Sequence, residues 1–189
     1  MARLAVLASG AGTNFEALAN AVALSRHELA LLVSDRKGAF ALERAKRLGV
    51  KFLYVPYSGR EREEAESEIS RALETEKVDI VALAGFMRLL GSAFVRHWSG
   101  RLVNVHPSLL PGYPGKDSIE RAFDAGEPML GVTIHYVDEG MDTGPIIAQE
   151  RIARVASGEL PDMEAAIHEL EYMLYPKTVL ALLDEAEGS

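Results

Sequence analysis

Cysteine is absent from the sequence. That excludes disulfides, thiolate nucleophiles and thiolate-bound metals, and it fits a reducing compartment. Long apolar runs are absent too. No stretch approaches the ~20 residues of a membrane span. The apolar segment that follows Arg3 stops within about five residues at Ser9–Gly10, short of the ~7–15 of a signal-peptide core. Basic clustering is also missing: 20 Lys and Arg face 28 Asp and Glu, for a formal charge of −8. A protein whose main partner is nucleic acid carries a basic stripe. These absences lead us to expect a cytoplasmic protein with no nucleic-acid or membrane partner.

What is present is ordinary globular material, 48% hydrophobic and 25% charged over 189 residues, enough for one domain with a well-formed core. Apolar runs alternate with helical periodicity from the start. "LAVLAS" (4–9), "LALLVS" (29–34), "KFLYVP" (51–56), "VDIVALAG" (78–85) and "RLVNVH" (101–106) read as strands. Helices are predicted between them over 14–24, 39–49, 60–77 and around 92–98; the third is a charged surface helix with Ala65, Ile69, Ala72 and Leu73 as its apolar stripe. Near-continuous apolar strands in this alternation predict a three-layer α/β fold, a doubly wound and mostly parallel sheet with helices on both faces. After residue 110 a Pro/Gly-rich loop leads to a short helix (117–125) and two strand-like segments, "GVTIHYV" and "PIIAQERIA". A long C-terminal helix is expected from about 161 to 185, kinked at Pro176.

Three local patterns carry chemistry. "SGAGTN" (9–14) joins the first strand to the first helix. Gly10 and Gly12 permit a tight turn, and Thr13 and Asn14 are suitable N-caps, so the loop reads either as an anion site or as an ordinary strand–helix turn. It is not a complete dinucleotide fingerprint, because Phe15 stands where the third glycine belongs, and the absence of G-K-[ST] excludes a P-loop. Asp35 imitates the ribose-binding acid of that fingerprint, but within "SDRKG" it reads better as a turn residue.

The second pattern is "RLVNVHPSLLPGYPG" (101–115). Side chains alternate along a strand, which puts Asn104 and His106 on one face about 7 Å apart, opposite Val103 and Val105. Pro107 ends the strand, and ligands collect beyond the carboxyl ends of parallel strands. An amide donor beside an imidazole suits stabilising and protonating a developing oxyanion. The third pattern, "HYVDEGMDTGP", crowds Asp138, Glu139 and Asp142 into a turn-rich segment; one of these acids reaching His106 would favour its charged form. On the last helix, spacing makes Ile167, Leu170, Met173 and Leu174 the core stripe, with His168, Glu171, Tyr172 and Tyr175 on a neighbouring, more polar face.

"SGAGTN", "AGFMRLL", "NVHPSLLPGYPG" and "DEGMDTGP", in this order over nearly the whole chain, closely resemble the phosphoribosylglycinamide formyltransferase family of folate-dependent purine-biosynthesis enzymes. The resemblance implies a formyltransferase-like fold in one domain over 1–189, with a nucleotide-binding half (about 1–100) and a folate and catalytic half (about 101–189). It implies a catalytic trio at Asn104, His106 and Asp142. A ribonucleotide site would comprise Gly12, Thr13 and Asn14 for the phosphate, with Glu171 and its neighbour His168. A folate site would comprise Arg62 (or Arg60), Met87, Arg88, Leu89, Leu90, Asn104 and the loop Asp138, Glu139, Gly140, Met141 and Asp142. Tyr172 departs from the family, where a histidine follows the glutamate.

The implied reaction is direct formyl transfer from 10-formyltetrahydrofolate, as co-substrate, to the amine of glycinamide ribonucleotide, without a metal and by a monomer or homodimer. Formyltetrahydrofolate hydrolase and methionyl-tRNA formyltransferase share the strand-five block, but each normally carries an additional domain for which we expect no room here. A non-catalytic nucleotide-binding module would leave Asn104, His106 and Asp142 without a shared purpose.

Overall fold

The structure, a computed structural model, describes residues 1–155 and 158–188. The elements follow in the order β1 (Arg3–Leu7), α1 (Thr13–Ala23), β2 (Glu28–Ser34), α2 (Phe40–Leu48), β3 (Phe52–Tyr54), α3 (Arg62–Thr75), β4 (Ile80–Leu83), α4 (Ser92–His97), β5 (Leu102–His106), α5 (Ser118–Asp124), β6 (Met129–Tyr136), β7 (Ile146–Ala153) and α6 (Leu160–Glu187). All strands join one sheet ordered β3-β2-β1-β4-β5-β6-β7. The five strands from β3 to β5 are parallel to their neighbours, whereas β6 and β7 extend the sheet antiparallel. Helices with apolar stripes must bury them, and the alternation of strand side chains offers two faces for this. Leu4, Val6 and Ala8 pack with residues of α1, α2, α5 and α6. Ala5 and Leu7 pack with α3 and α4, including Ile69, Leu73 and Phe94, and with Trp98 just beyond α4.

The expected layers and the long last helix are present. Helix α6 is continuous across Pro176, whose missing N–H is accommodated without ending the helix. The stripe assigned to that helix needs correction: Met173 is 65% exposed, while Tyr175 is fully buried. The physical reason is a polar anchor inside the core. Tyr175 points its hydroxyl at the carbonyls of Leu83 (2.9 Å) and Val103 (3.3 Å), seating α6 against the ends of β4 and β5. A buried tyrosine needs such an acceptor for its O–H.

Strand order creates the site. From β1 the chain winds outward through β2 and β3, then returns to β4 on the other side. The carboxyl ends of β1, β4 and β5 therefore open onto a crevice at the point where winding reverses, the usual ligand position in open α/β sheets.

Candidate active site

The glycine loop follows β1 into this crevice. Gly12 is the N-cap residue of α1, in the left-handed region at φ 73°, and makes no side-chain cap. The expected capping by the Thr13 and Asn14 side chains is thus replaced by a backbone turn. Only glycine fits: a Cβ here would come within 2.7 Å of the Ala41 Cα on α2. The first helical hydrogen bond runs from Glu16 N–H to the Gly12 carbonyl. The N–H groups of Thr13, Asn14 and Phe15 precede it and point out of the helix start, where an anion is favoured by both donors and dipole. Phe15 is wholly buried and belongs to the same core cluster as Leu4 and Val6 of β1.

On β5, Asn104 is half-buried and His106 is 5% exposed. Both open onto a cleft of about 700 Å³ that also takes in Asn14, Lys116, Asp142, His168 and Glu171. Nε2 of His106 faces the carbonyl of Tyr113 at 3.0 Å, and Nδ1 faces Asp142 Oδ2 at 3.4 Å. The Tyr113 carbonyl only accepts, so Nε2 donates to it, and a second proton on Nδ1 would pair the ring with the Asp142 carboxylate. The other Asp142 oxygen lies 3.5 Å from Nε2 of His135. The Gly115 N–H donates to Asp142 Oδ2 at 2.8 Å. The hydrogen bond with His135, aided by the Gly115 N–H and the imidazole charges and opposed by burial, lowers the Asp142 pKa to about 2.

His135 is the residue the sequence reading missed. It is 2% exposed on β6, directly opposite Asn104 in the antiparallel register. Its Nδ1 faces the Tyr136 carbonyl (2.9 Å) and so carries a proton, leaving Nε2 towards Asn104 Nδ2 (3.2 Å) and Asp142. A buried histidine at an inward-facing strand position was the available signal, but its partner became identifiable only with the β5–β6 register.

Strain concentrates in the surrounding loops. Non-glycine residues at positive φ are uncommon, and three of them border the cleft: Tyr113 (54°), Asp117 (55°) and Asp142 (55°). Side chains held this way are a recurrent feature of functional sites.

Along one side of the crevice runs the loop after β4. Met87 N–H donates to Ser9 Oγ (2.8 Å) and Gly91 N–H to the buried Glu66 (2.9 Å). Met87 and Leu89 are 52% and 61% exposed at its lip, and Leu90 is buried beneath. Leu89, Leu90, Asn104, His135, Asp138, Gly140, Met141 and Asp142 meet around a smaller cavity. Arg62 lies with Arg60 and Arg88 in an adjoining cleft, so the expected arginine contribution stands beside the main cleft rather than in it. Glu139, expected among the folate-facing residues, turns the other way. Its carboxylate takes Arg96 on α4 at 3.0 Å, and hydrogen bonds from Ser92 and Arg96 lower its pKa. It pins the loop from outside.

The last helix closes the opposite end. Glu171 is buried and is not on an exposed polar face, a correction to the helical-stripe reading. Its Oε2 accepts from Asn14 Nδ2 (3.0 Å) and meets His168 Nδ1 (3.0 Å). That contact raises the His168 pKa, with burial opposing it. His168 stacks on Tyr172, the centroids 6.4 Å apart. Three cleft residues from α1 and α6 are thereby tied together, while Asn14 Oδ1 is buried without a partner among the described residues. The metal-compatible group His27, Asp184 and Glu187 is not at this cleft. It lies by the amino end of β2, and its carboxylates are engaged by Arg26 and the N-terminal ammonium.

Comparison with known proteins gives a consistent result. A family model described as Formyl transferase matches residues 2–179. A phosphoribosylglycinamide formyltransferase of Bacillus subtilis is 42% identical over 186 residues, 97% of this chain and 95% of that protein. A trifunctional purine biosynthetic protein adenosine-3 of Drosophila melanogaster is 40% identical over 96% of this chain, which spans only 14% of that larger protein. Among solved structures, glycinamide ribonucleotide transformylase 1 from Geobacillus kaustophilus superposes with a TM-score of 0.92 at 47% identity, covering 97% of this chain and 99% of that one.

Proposed function

The chain belongs to the formyl transferase family, and from that premise we propose that it transfers a formyl group from 10-formyltetrahydrofolate to the amine of 5-phosphoribosyl glycinamide in purine biosynthesis. The observation that carries the reading is the convergence of Asn104, His106 and Asp142 on one cleft that also receives Asn14 and Glu171. Residues 1–189 act as one domain, in which the glycine loop and α6 hold the ribonucleotide and the loops after β4 and β6 hold the folate.

In this reading the ribonucleotide phosphate meets the N–H groups of Thr13 and Asn14, its turn made possible by Gly12, and Glu171 and His168 hold the sugar end. The folate ring enters between Met87–Leu90 and Asp138–Met141. Attack of the amine on the formyl carbon places negative charge on the formyl oxygen. Asn104 and the His106 imidazolium receive that oxygen, Asp142 keeping the ring charged. Both nitrogens of His106 have partners in the present conformation, so the oxyanion replaces the Tyr113 carbonyl as the ring's acceptor. As the oxyanion collapses to the amide carbonyl and the C–N bond to folate breaks, His106 supplies the proton to the leaving folate nitrogen. The attacking nitrogen, cationic after addition, gives up a proton that restores the His106 imidazolium. His135 orients Asp142 from the far side. Much of the rate comes from holding two substrates together. No step calls for a metal.

The experiment is direct. The protein is incubated with 10-formyltetrahydrofolate, with and without the ribonucleotide amine, and tetrahydrofolate release is followed. Release only in the presence of amine supports transfer. Equal release without amine would instead assign hydrolysis.

A further inference from the structure

Asp35 follows the carboxyl end of β2, where a dinucleotide site would offer an acid to a ribose. Here its carboxylate is wholly buried, and Oδ2 accepts the Nε–H of Arg88 at 2.7 Å. Arg88 belongs to the loop after β4, and β1 lies between β4 and β2 in the sheet. The ion pair therefore spans the end of β1, at the point where the winding reverses.

Three features set this pair apart from an ordinary structural bridge. A buried carboxylate is costly unless fully paired, yet among the described residues Asp35 Oδ1 has no partner, and neither does the buried hydroxyl of Tyr57. The guanidinium of Arg88 lies 5.1 Å above the Tyr57 ring, so it is fixed by charge on one side and by a π-face on another. With Nε engaged, no other hydrogen bond of the Arg88 side chain is found among the described residues. That side chain is 45% exposed, against 0% for Asp35, and it borders all three cavities of the crevice. The acid is buried and the base is presented.

We propose that Asp35 is a positioning residue, whose buried carboxylate holds Arg88 so that the free Nη groups receive a carboxylate of the folate co-substrate. The proposal rests on the function given above. The glutamyl end of folate carries two carboxylates, and a guanidinium fork matches such a group in a way a point charge does not. Anchoring Nε in advance removes much of the side-chain freedom that binding would otherwise have to freeze.

The test compares wild type, Asp35→Asn, Arg88→Met and the double variant, each with 10-formyltetrahydrofolate and with the primary amide of 10-formyltetrahydropteroate, which lacks the glutamate and carries no carboxylate. Asp35→Asn is expected to raise the KM for the folate donor about tenfold, the scale of one charge-assisted hydrogen bond, without moving the ribonucleotide KM. With the pteroyl amide donor the increase disappears. In the Arg88→Met background, Asp35→Asn changes the folate KM no further, a comparison that holds even if the single variant is less stable. Equal KM increases with both donors, or an effect of Asp35→Asn that persists without Arg88, would overturn the proposal. Absence of transfer by the wild type would defeat the functional reading itself, whereas transfer with an unchanged folate KM in Asp35→Asn would defeat only the role of Asp35.

Discussion

The Asp142 carboxylate stands 3.4 Å from Nδ1 of His106, and it does so from a residue held at φ 55°. The loop is bent to bring the acid to the ring. Removing either partner should therefore act on chemistry more than on folding. His106→Ala and Asp142→Asn are each expected to lower kcat by about 10²- to 10⁴-fold, the range of general acid–base catalysis. Steady-state kinetics beside a melting curve checks this; near-normal turnover in either variant would remove that residue from the mechanism.

Much of this arrangement was legible in the sequence, for identifiable reasons. Alternation put Asn104 and His106 on one face, and Pro107 fixed where β5 stops. Near-continuous apolar strands announced a sheet covered on both sides. Other features depend on contacts between distant segments. Asn104 meets His135 only because β6 runs antiparallel to β5, and nothing local in "GVTIHYV" fixes that register. Helical spacing placed Tyr175 and Glu171 on a polar face. The core accepts both because each finds partners there, Tyr175 on backbone carbonyls and Glu171 on Asn14 and His168. Asp35 reads as a turn residue until Arg88 is seen to reach it.

Acid stability provides a second prediction. Asp142 has its pKa lowered from 3.8 to about 2, chiefly by the hydrogen bond with His135. A carboxylate with a depressed folded-state value stabilises the fold above its ordinary value, and loses that contribution as pH falls through the folded value. Wild type should thus lose this increment between about pH 4 and pH 2. Asp142→Asn should lack it, so the melting temperatures of the two proteins, measured from pH 7 downwards, should converge or cross in that window. A constant gap through acid pH would show that Asp142 is not held ionised.

His168 titrates in the opposite sense. Its hydrogen bond with Glu171 raises its pKa above 6.5, so the contribution is complete below the ordinary histidine value and is lost as pH rises through the raised one. Ribonucleotide binding should weaken over the same interval as the ring that holds the sugar end loses its positive charge. Glu171→Gln removes the charged partner and should bring the His168 titration, followed by proton NMR, back to lower pH. An unchanged titration in that variant would mean that the ring is held by something other than Glu171.

The two glycines of the first loop separate shape from function. A Cβ at Gly10 meets nothing within 4 Å, whereas one at Gly12 would lie 2.7 Å from the Cα of Ala41 on α2, at a φ of 73°. Gly10→Ala should accordingly leave the melting temperature almost unchanged. Gly12→Ala should cost about 1–3 kcal/mol, the usual scale for a side chain forced into left-handed backbone, and more if α2 cannot move away. Loss of ribonucleotide affinity in a Gly12 variant would then mix a damaged turn with a damaged phosphate site. The cleaner probe of the anion site is Asn14→Ala, which spares the turn, removes the amide that donates to Glu171, and should raise the ribonucleotide KM while leaving the folate KM alone. Equal increases in both constants would mean that α1 supports the whole crevice and that its N-terminus has no private ligand.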